Sequence, residues 1–192
     1  MTLLAHVALS VPTASWEAVG FPVGTWNLGE TCVSLVEPES TSGIIADIVG
    51  VQGDLGVANM RSGAGLPSCP AGTDQLGLVS IDHLMVRTKD AESTLQSLAG
   101  SLGVDVSIDA NGEQSVWIGA VRIDMVPAPD LSVPAELWGI AFRVDDIDAV
   151  AARLGSEMLG ATKPARQAGQ RVAVFRSGAN LGVPTALIDL RG

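Results

Sequence analysis

Residues 81–90 alternate between apolar and polar side chains, a pattern that predicts a strand with one buried face. The following segment changes to helical spacing, starts after Asp90, a residue suited to an N-cap, and ends at Gly103. The apolar face of this predicted helix consists of Leu95, Leu98 and Leu102. Strand-like alternation then returns in residues 115–126. The pattern therefore predicts one strand, one helix and a further set of strands.

The same order of elements returns near the end of the chain. A strand-like run from Trp138 reaches Asp146, which is again suited to the N-cap of the amphipathic segment 147–154. The strand-like runs that follow span residues 170–176 and 183–190. The chain thus contains two copies of a βαβββ unit (one strand, one helix and three strands), over residues 78–130 and 138–190.

A shorter third copy opens the chain, over residues 1–51. Its first strand resembles that of the second unit, with His6 at the position of His83, but the helical segment has room for only a couple of turns. Gly, Pro, Ser and Ala dominate residues 52–77, which predicts a linker between this partial unit and the rest of the chain. A surface loop within one compact domain is the alternative.

Composition and charge restrict the classes of partner. The 192 residues are 47% hydrophobic, which is enough for a sizeable core. The formal net charge of -10 repels nucleic-acid phosphates and anionic lipid, so we expect neither nucleic acid nor a membrane surface as a partner. No apolar run approaches the roughly 18 residues that a membrane span needs.

The cysteines and the N-terminus bear on the compartment. Cys32 and Cys69 have neither the spacing of a metal site nor the number that a disulfide framework needs. We expect two buried or half-buried free thiols, which a reducing compartment suits. Residues 1–11 contain no Lys or Arg, which argues against a secretory signal. Together these features predict a cytoplasmic protein.

The chain resembles the vicinal oxygen chelate superfamily in three motifs set within the repeated units. These are Ile-Asp-His at 81–83, Phe-Arg-Val-Asp-Asp-Ile-Asp-Ala-Val at 142–150, and Leu-Gly-Val-Pro-Thr-Ala-Leu at 181–187. The superfamily includes glyoxalase I, methylmalonyl-CoA epimerase, extradiol dioxygenases, and fosfomycin-resistance and bleomycin-binding proteins. The resemblance implies an α+β fold in which paired βαβββ units form a half-open, curved, mixed β-sheet barrel with helices outside.

The resemblance also implies positions for metal ligands, on the first and last strands of each unit. His83 and Asp124 match two of these positions, whereas Gly139 and Ala186 stand at the other two and offer no donor. Two protein ligands are too few to hold most divalent metals, so we favour no metal and no other cofactor. The alternative is a set of His6, His83 and Asp124 around zinc, nickel, iron or manganese, formed if the N-terminal unit pairs with the second.

The inner face of the paired units is the predicted ligand site. Its candidate ligand-binding residues are Met85, Trp117, Arg122 and Arg143. This lining suits a small, partly apolar molecule that carries a carboxylate or an enolate, unless the arginines instead pair with carboxylates at the rim. His83 and Asp124 are the candidate catalytic residues, as a hydrogen-bonded pair in which the carboxylate raises the basicity of the imidazole. A structural pair is the alternative.

Three functions fit these features. The favoured one is a metal-free, glyoxalase-like protein that binds a small organic molecule between its paired units. The second is a divalent-metal-dependent lyase, isomerase or extradiol-type dioxygenase, so whether the protein is an enzyme stays open. The third is an assembly element, in which the N-terminal unit pairs across a homodimer.

Overall fold

The computed structural model describes residues 2–63, 69–72, 74–109 and 111–189, which form two mixed β-sheets and three α-helices. The strands of the first sheet are β1 (Leu3–Ser10), β2 (Thr25–Leu28), β3 (Thr31–Val36), β4 (Gly43–Val49) and β5 (Met60–Ser62). They are ordered β2-β3-β1-β4-β5. The helix α1 (Thr13–Val19) has seven residues and joins β1 to β2. Strand β1 runs parallel to β3 and antiparallel to β4, and α1 is as short as the sequence predicts for the partial N-terminal unit.

The second sheet has eight strands and contains both of the longer units. Its strands are β6 (Leu78–Thr88), β7 (Ser107–Ile108), β8 (Gln114–Ile118), β9 (Val121–Pro127), β10 (Ala135–Val144), β11 (Lys163–Pro164), β12 (Arg171–Val174) and β13 (Thr185–Asp189). Helix α2 (Ala91–Leu102) follows β6, and α3 (Ile147–Met158) follows β10. Each unit is thus a strand, a helix and three strands, in the order that the sequence predicts.

The pairing of β6 with β10 joins the two longer units. These first strands are antiparallel neighbours at the centre of the sheet, whose order is β11-β12-β13-β10-β6-β9-β8-β7. Each first strand also runs parallel to the last strand of its own unit, β6 to β9 and β10 to β13. The sheet is curved and does not close. The predicted α+β fold of paired βαβββ units in a half-open sheet is confirmed.

Both longer helices begin at the predicted caps. The Asp90 carboxylate accepts a hydrogen bond from the Ser93 N–H, and the Asp146 carboxylate accepts bonds from the first turn of α3. Gly103 ends α2 in the left-handed conformation, at φ 65°. Among the residues that the structure describes, no helix has the length and apolar character needed to cross a membrane.

The two sheets share one hydrophobic core. Alternate residues of β1, such as Val7 and Leu9, and of β6, such as Leu84 and Val86, are fully buried in the same cluster. Aromatic rings connect the sheets as well: Phe21, which follows α1, lies 5.1 Å from the Phe142 ring of β10. The N-terminal unit therefore packs against the rest of its own chain.

The segment predicted as a linker takes part in this packing. Residues 64–68 and 73 lie outside the described residues, but β5 pairs with β4, and Leu55 and Val57 are buried. Ala58 forms a β-bridge with Glu136 at the start of β10. These contacts favour the alternative interpretation, a loop within one compact domain.

The prediction of two free thiols is wrong. Cys32 in β3 and Cys69 form a disulfide across 37 residues of sequence, with their Cα atoms 6.0 Å apart. Sequence spacing could not reveal this pair, because the fold alone brings residue 69 next to β3. The cysteines therefore no longer support a reducing compartment.

Candidate functional site

The open face of the eight-stranded sheet, which points away from the shared core, carries most of the predicted site. Strand register fixes its composition: His83 pairs with Arg122 of β9, and Met85 pairs with Asp124. On the other side, His83 pairs with Ala141 of β10. Residues that pair across neighbouring strands point to the same face, so these side chains are neighbours.

A β-bulge places a further carboxylate in the site. On β10, Ala141 and Phe142 are consecutive, but their partners on β6 are His83 and Ile81, so Asp82 is the extra residue. A bulge interrupts the alternation of side chains and can redirect one of them. Here Asp82 Oδ2 lies 2.9 Å from Nδ1 of His83, although the two residues are neighbours in the chain.

Asp82 is a buried anion with two positively charged or polar partners. Its side chain is only 3% exposed, its Oδ2 faces His83, and its Oδ1 accepts a hydrogen bond from Arg143. Burial raises the pKa of Asp82, but the hydrogen bonds from His83 and Arg143 and their charges outweigh burial and hold this pKa below its usual value. Asp82 is therefore ionised and orients the imidazole.

The partners of His83 assign its tautomer. An ionised carboxylate only accepts hydrogen bonds, so the Nδ1 of His83 carries the proton that Asp82 accepts. The Nε2 atom points to the other side of the ring, 3.9 Å from Oδ2 of Asp124, and accepts a proton whenever it carries none. An imidazole held in this way by a carboxylate is the arrangement of a general base.

Asp124 is bound by arginine rather than by histidine. Arg122 donates from Nε and Nη2 to its two oxygens, at 2.7 and 2.9 Å. Arg166, from the connection between β11 and β12, adds a contact of 3.7 Å to Asp124 and one of 3.3 Å to Glu113. Because Arg166 belongs to the unit at 138–190 and Asp124 to the unit at 78–130, these ion pairs cross the open face.

The same face has an apolar half. Ala141, Ala186 and Ile188 form a small cluster of their own, separate from the main core, with Val172 packed against it. Two large apolar side chains stay exposed beside these groups, Trp117 of β8 at 38% and Val174 of β12 at 45%. Exposed apolar groups next to a buried polar network are the usual lining of a small-molecule site.

The residues of this face do not fit a metal ion. Gly139 and Ala186 supply no donor, and a Cβ atom at position 139 would lie 2.7 Å from Cε of Met85. Met85 therefore fills the space where a ligand side chain would stand. Both oxygens of Asp124 already accept hydrogen bonds from Arg122. Within the described residues, no group of three or more His, Cys, Asp or Glu side chains is placed to hold a metal.

The structure brings most of the predicted site residues together. Those on the open face, or bonded into its polar network, are His83, Asp124, Met85, Trp117, Arg122 and Arg143. The predicted hydrogen bond between His83 and Asp124 is wrong, since 3.9 Å is too long and each residue has another partner. Arg143 pairs with the Asp82 carboxylate, which is the alternative that the sequence left open for the arginines.

His6 is not part of this site. It lies on β1 of the five-stranded sheet, where its Nδ1 is 3.1 Å from Asp47 and its Nε2 is 2.8 Å from Ser34. The alternative metal set of His6, His83 and Asp124 is therefore wrong, because the N-terminal unit does not pair edge to edge with the second unit.

Sequence reasoning missed Asp82. Strict alternation assigns it to the face opposite His83, and only the extra residue in β6 brings the two side chains together. The available signal was the unusual position of a carboxylate beside Ile81 and Leu84 on a strand face that is otherwise buried.

No family model matches the chain, and no curated protein sequence matches it. Solved structures do match. A 4-hydroxymandelate synthase variant from Streptomyces coelicolor aligns over 99% of this chain and 93% of its own, at 13% identity and a TM-score of 0.56. A fusion of a xylose isomerase-like TIM barrel with 4-hydroxyphenylpyruvate dioxygenase aligns over 99% of this chain and 49% of its own, at 14% identity and a TM-score of 0.61.

Methylmalonyl-CoA epimerase from Mycobacterium tuberculosis aligns over 62% of this chain and 92% of its own, at 19% identity and a TM-score of 0.48. The two structures with TM-scores of 0.56 and 0.61 share the fold of this chain. At these identities the likeness says nothing about the chemistry of the site.

Proposed function

We propose that the open face of the eight-stranded sheet binds a small, partly apolar organic molecule that carries a carboxylate or an enolate, without a complete metal site. The observation that carries this proposal is the division of one face into two halves. The polar half is the network around His83 and Arg122 on β6 and β9. The apolar half is in two parts, with Trp117 on β8 at one side of that network and the cluster around Ile188 at the other side.

The polar half favours an anionic group on the ligand. Arg166 is the most exposed of the cations at this face, at 48%, and it holds its carboxylate partners at 3.3 and 3.7 Å, longer than a direct charge-assisted bond. A ligand carboxylate can replace these weak contacts at little cost. The adjacent Nε2 of His83 then faces the part of the ligand nearest to its charged group.

The apolar half favours a hydrocarbon or aromatic body. Trp117 is 38% exposed, and an indole ring at the surface gains free energy when a ligand covers it. The ligand would therefore lie with its anionic end near Arg166 and its apolar body against Trp117.

A catalytic role for the same site rests on the Asp82–His83 pair. Asp82 holds the Nδ1 proton of His83, which leaves Nε2 free to take a proton from a bound ligand. The reaction class that suits this base is transfer of a proton at a carbon next to a carbonyl or carboxylate group, with Arg166 stabilising the negative charge that develops.

Thermal-shift measurements with benzoate and phenylacetate test the binding proposal. Both compounds should raise the melting temperature of the wild-type protein, because a ligand that binds the native state stabilises it by mass action. The shift should fall in Trp117→Ala and in Arg166→Ala. Val23→Ala is the matched control, since Val23 is 65% exposed on the N-terminal unit. Equal shifts in all four proteins would contradict the proposal.

The homodimer that the sequence suggests remains a prediction. Sedimentation velocity on the full chain tests it directly. A truncated chain is not suitable for this test, because removal of the N-terminal unit would expose the core that it shares with the second sheet.

A further inference from the structure

A second group of polar side chains lies on the five-stranded sheet, away from the site around His83. Three neighbouring strands contribute one residue each: Ser34 from β3, His6 from β1 and Asp47 from β4. Ser34 Oγ is 2.8 Å from Nε2 of His6, and Nδ1 of His6 is 3.1 Å from Oδ2 of Asp47. The three groups therefore form a continuous chain of hydrogen bonds.

Strand register accounts for this arrangement. His6 pairs with Asp47 on the antiparallel side of β1 and with Cys32 on the parallel side. Ser34 is two residues beyond Cys32 on the same face of β3, so its hydroxyl reaches His6 diagonally. The contacts belong to the centre of a sheet, where the strand backbones fix the three Cα positions.

The direction of the hydrogen bonds follows from the chemistry of the groups. Burial raises the pKa of Asp47, but hydrogen bonds from Arg61 and His6 and their charges outweigh burial and hold this pKa below its usual value. The ionised Asp47 accepts the Nδ1 proton of His6, and Nε2, when it carries no proton, accepts the proton of Ser34. This is the polarity that activates a serine hydroxyl as a nucleophile.

His6 and Asp47 lie near the surface of the sheet, whereas Ser34 is buried, at 8% exposed. The side chains of His6 and Asp47 are 23% and 17% exposed, while the flanking residues of β1 on the opposite face are buried. Thr25 of β2, an exposed residue, places its hydroxyl 2.9 Å from Ser34 Oγ. Because Ser34 is buried, a small electrophile has to displace the Thr25 hydroxyl to reach its Oγ.

We propose that Ser34, His6 and Asp47 form a nucleophilic triad that hydrolyses small activated esters. Ser34 Oγ attacks the acyl carbon while its proton passes to Nε2 of His6; the ester C–O bond then breaks, and the leaving alcohol takes that proton. Water attacks the acyl-serine and gives its proton to His6, which returns it to Ser34 Oγ as the carboxylic acid departs. Asp47 keeps the ring oriented and stays ionised throughout.

The rate of ester hydrolysis that we expect depends on how well the site stabilises the oxyanion of the tetrahedral intermediate. The N–H of Leu35, which follows the nucleophile, donates to the Gly24 carbonyl at 2.8 Å and is not free to bind an oxyanion. The Thr25 hydroxyl, which contacts Ser34 Oγ at 2.9 Å, can donate to the oxyanion only after it leaves the serine. Loss of one oxyanion donor costs serine hydrolases about 100-fold to 1,000-fold in rate, so we expect slow hydrolysis of aryl esters with good leaving groups.

A fluorophosphonate probe followed by peptide mapping tests the triad. The probe should modify the folded wild-type protein on Ser34. Ser34→Ala should lose the adduct, and Asp47→Asn should react at least tenfold more slowly because the wrong tautomer of His6 is favoured. Ser10→Ala is the matched control, because Ser10 lies on the same strand and face as His6 and should leave labelling unchanged.

Hydrolysis of p-nitrophenyl acetate gives a second readout. The rate above background should fall in Ser34→Ala and Asp47→Asn, and it should persist in the control variant Ser10→Ala. If a variant does not fold, the position of the adduct in the wild-type protein still tests the proposal. An adduct on another residue, or no adduct on folded protein, would overturn it.

Discussion

Oδ2 of Asp82 lies 2.9 Å from Nδ1 of His83, although in a regular strand adjacent side chains point to opposite faces. The β-bulge in β6 is the cause, and it converts two chain neighbours into a carboxylate–imidazole pair. The pair is the base that we propose at the open face, and Arg143 completes the set of partners that keeps Asp82 charged while buried.

Asp82→Asn should destabilise the protein. The amide cannot accept from both His83 and Arg143 as the carboxylate does, and a buried donor is left without a full partner. We expect a loss of about 2 kcal/mol in the free energy of unfolding, measured by urea denaturation. Asp130→Asn, at an exposed position, should change it by less than about 0.5 kcal/mol. Equal stabilities of the two variants would contradict the role of Asp82.

Asp82 also predicts the pH dependence of stability. Burial raises its pKa, but the bonds from His83 and Arg143 lower it further, so the pKa in the folded state is below the usual 3.8. Such a carboxylate contributes stability that is present above its unfolded pKa and is lost as pH falls through its folded pKa. The stability advantage of wild type over Asp82→Asn should therefore be present at pH 5 and shrink below about pH 4. Urea titrations at each pH measure this; an advantage that grows on acidification would refute it.

Reduction of the Cys32–Cys69 disulfide should destabilise the N-terminal unit. The disulfide closes a loop of 37 residues, and loops of this length stabilise a fold by about 3 to 4 kcal/mol in the chain-entropy model. The melting temperature should fall on addition of dithiothreitol and should not respond to it in Cys69→Ser. Thiol titration of the unfolded, unreduced chain should find no free thiol. Two free thiols would show that the disulfide does not form.

The close approach of Met85 to Gly139 predicts that substitutions at these two positions have coupled effects on the free energy of unfolding. A Cβ atom at 139 would approach Cε of Met85 to 2.7 Å and the Pro184 carbonyl to 3.0 Å. Gly139→Ala should therefore cost about 1 to 3 kcal/mol in unfolding free energy. The cost should be smaller when Met85→Ala is also present, because the flexible side chain is then removed. Additive effects in this double-mutant cycle would mean that Met85 does not fill the space beside Gly139.

The donor set of the open face predicts weak metal binding. With Asp124 held by Arg122 and no donor at 139 or 186, the protein should not retain stoichiometric zinc, nickel, iron or manganese after gel filtration. Metal analysis measures the content, and EDTA should leave the melting temperature unchanged. Tightly bound metal that disappears in His83→Ala would contradict this account of the site.

The sequence predicts the elements well because periodicity and capping are local. The apolar spacing in α2, the caps at Asp90 and Asp146, and the repeated order of strands and helices are all visible in the chain. The shared face of His83 and Asp124 also follows from alternation, given the fold.

The parts that the sequence does not predict depend on a single inserted residue or on distant contacts. One extra residue in β6 redirects Asp82, and alternation gives no sign of it. Arg122 reaches Asp124 along its own strand, which removes the expected bond to His83. The disulfide joins Cys32 and Cys69 across 37 residues of sequence, and a local pattern gives no sign of so distant a contact.

The Trp16 indole donates a hydrogen bond of 2.8 Å to the Leu181 carbonyl, so the first helix is tied to the last unit across 165 residues of sequence. Because the first helix and the last unit pack into the same core, unfolding of one sheet would disrupt the packing of the other. Unfolding should therefore be cooperative, with both sheets melting in a single two-state transition.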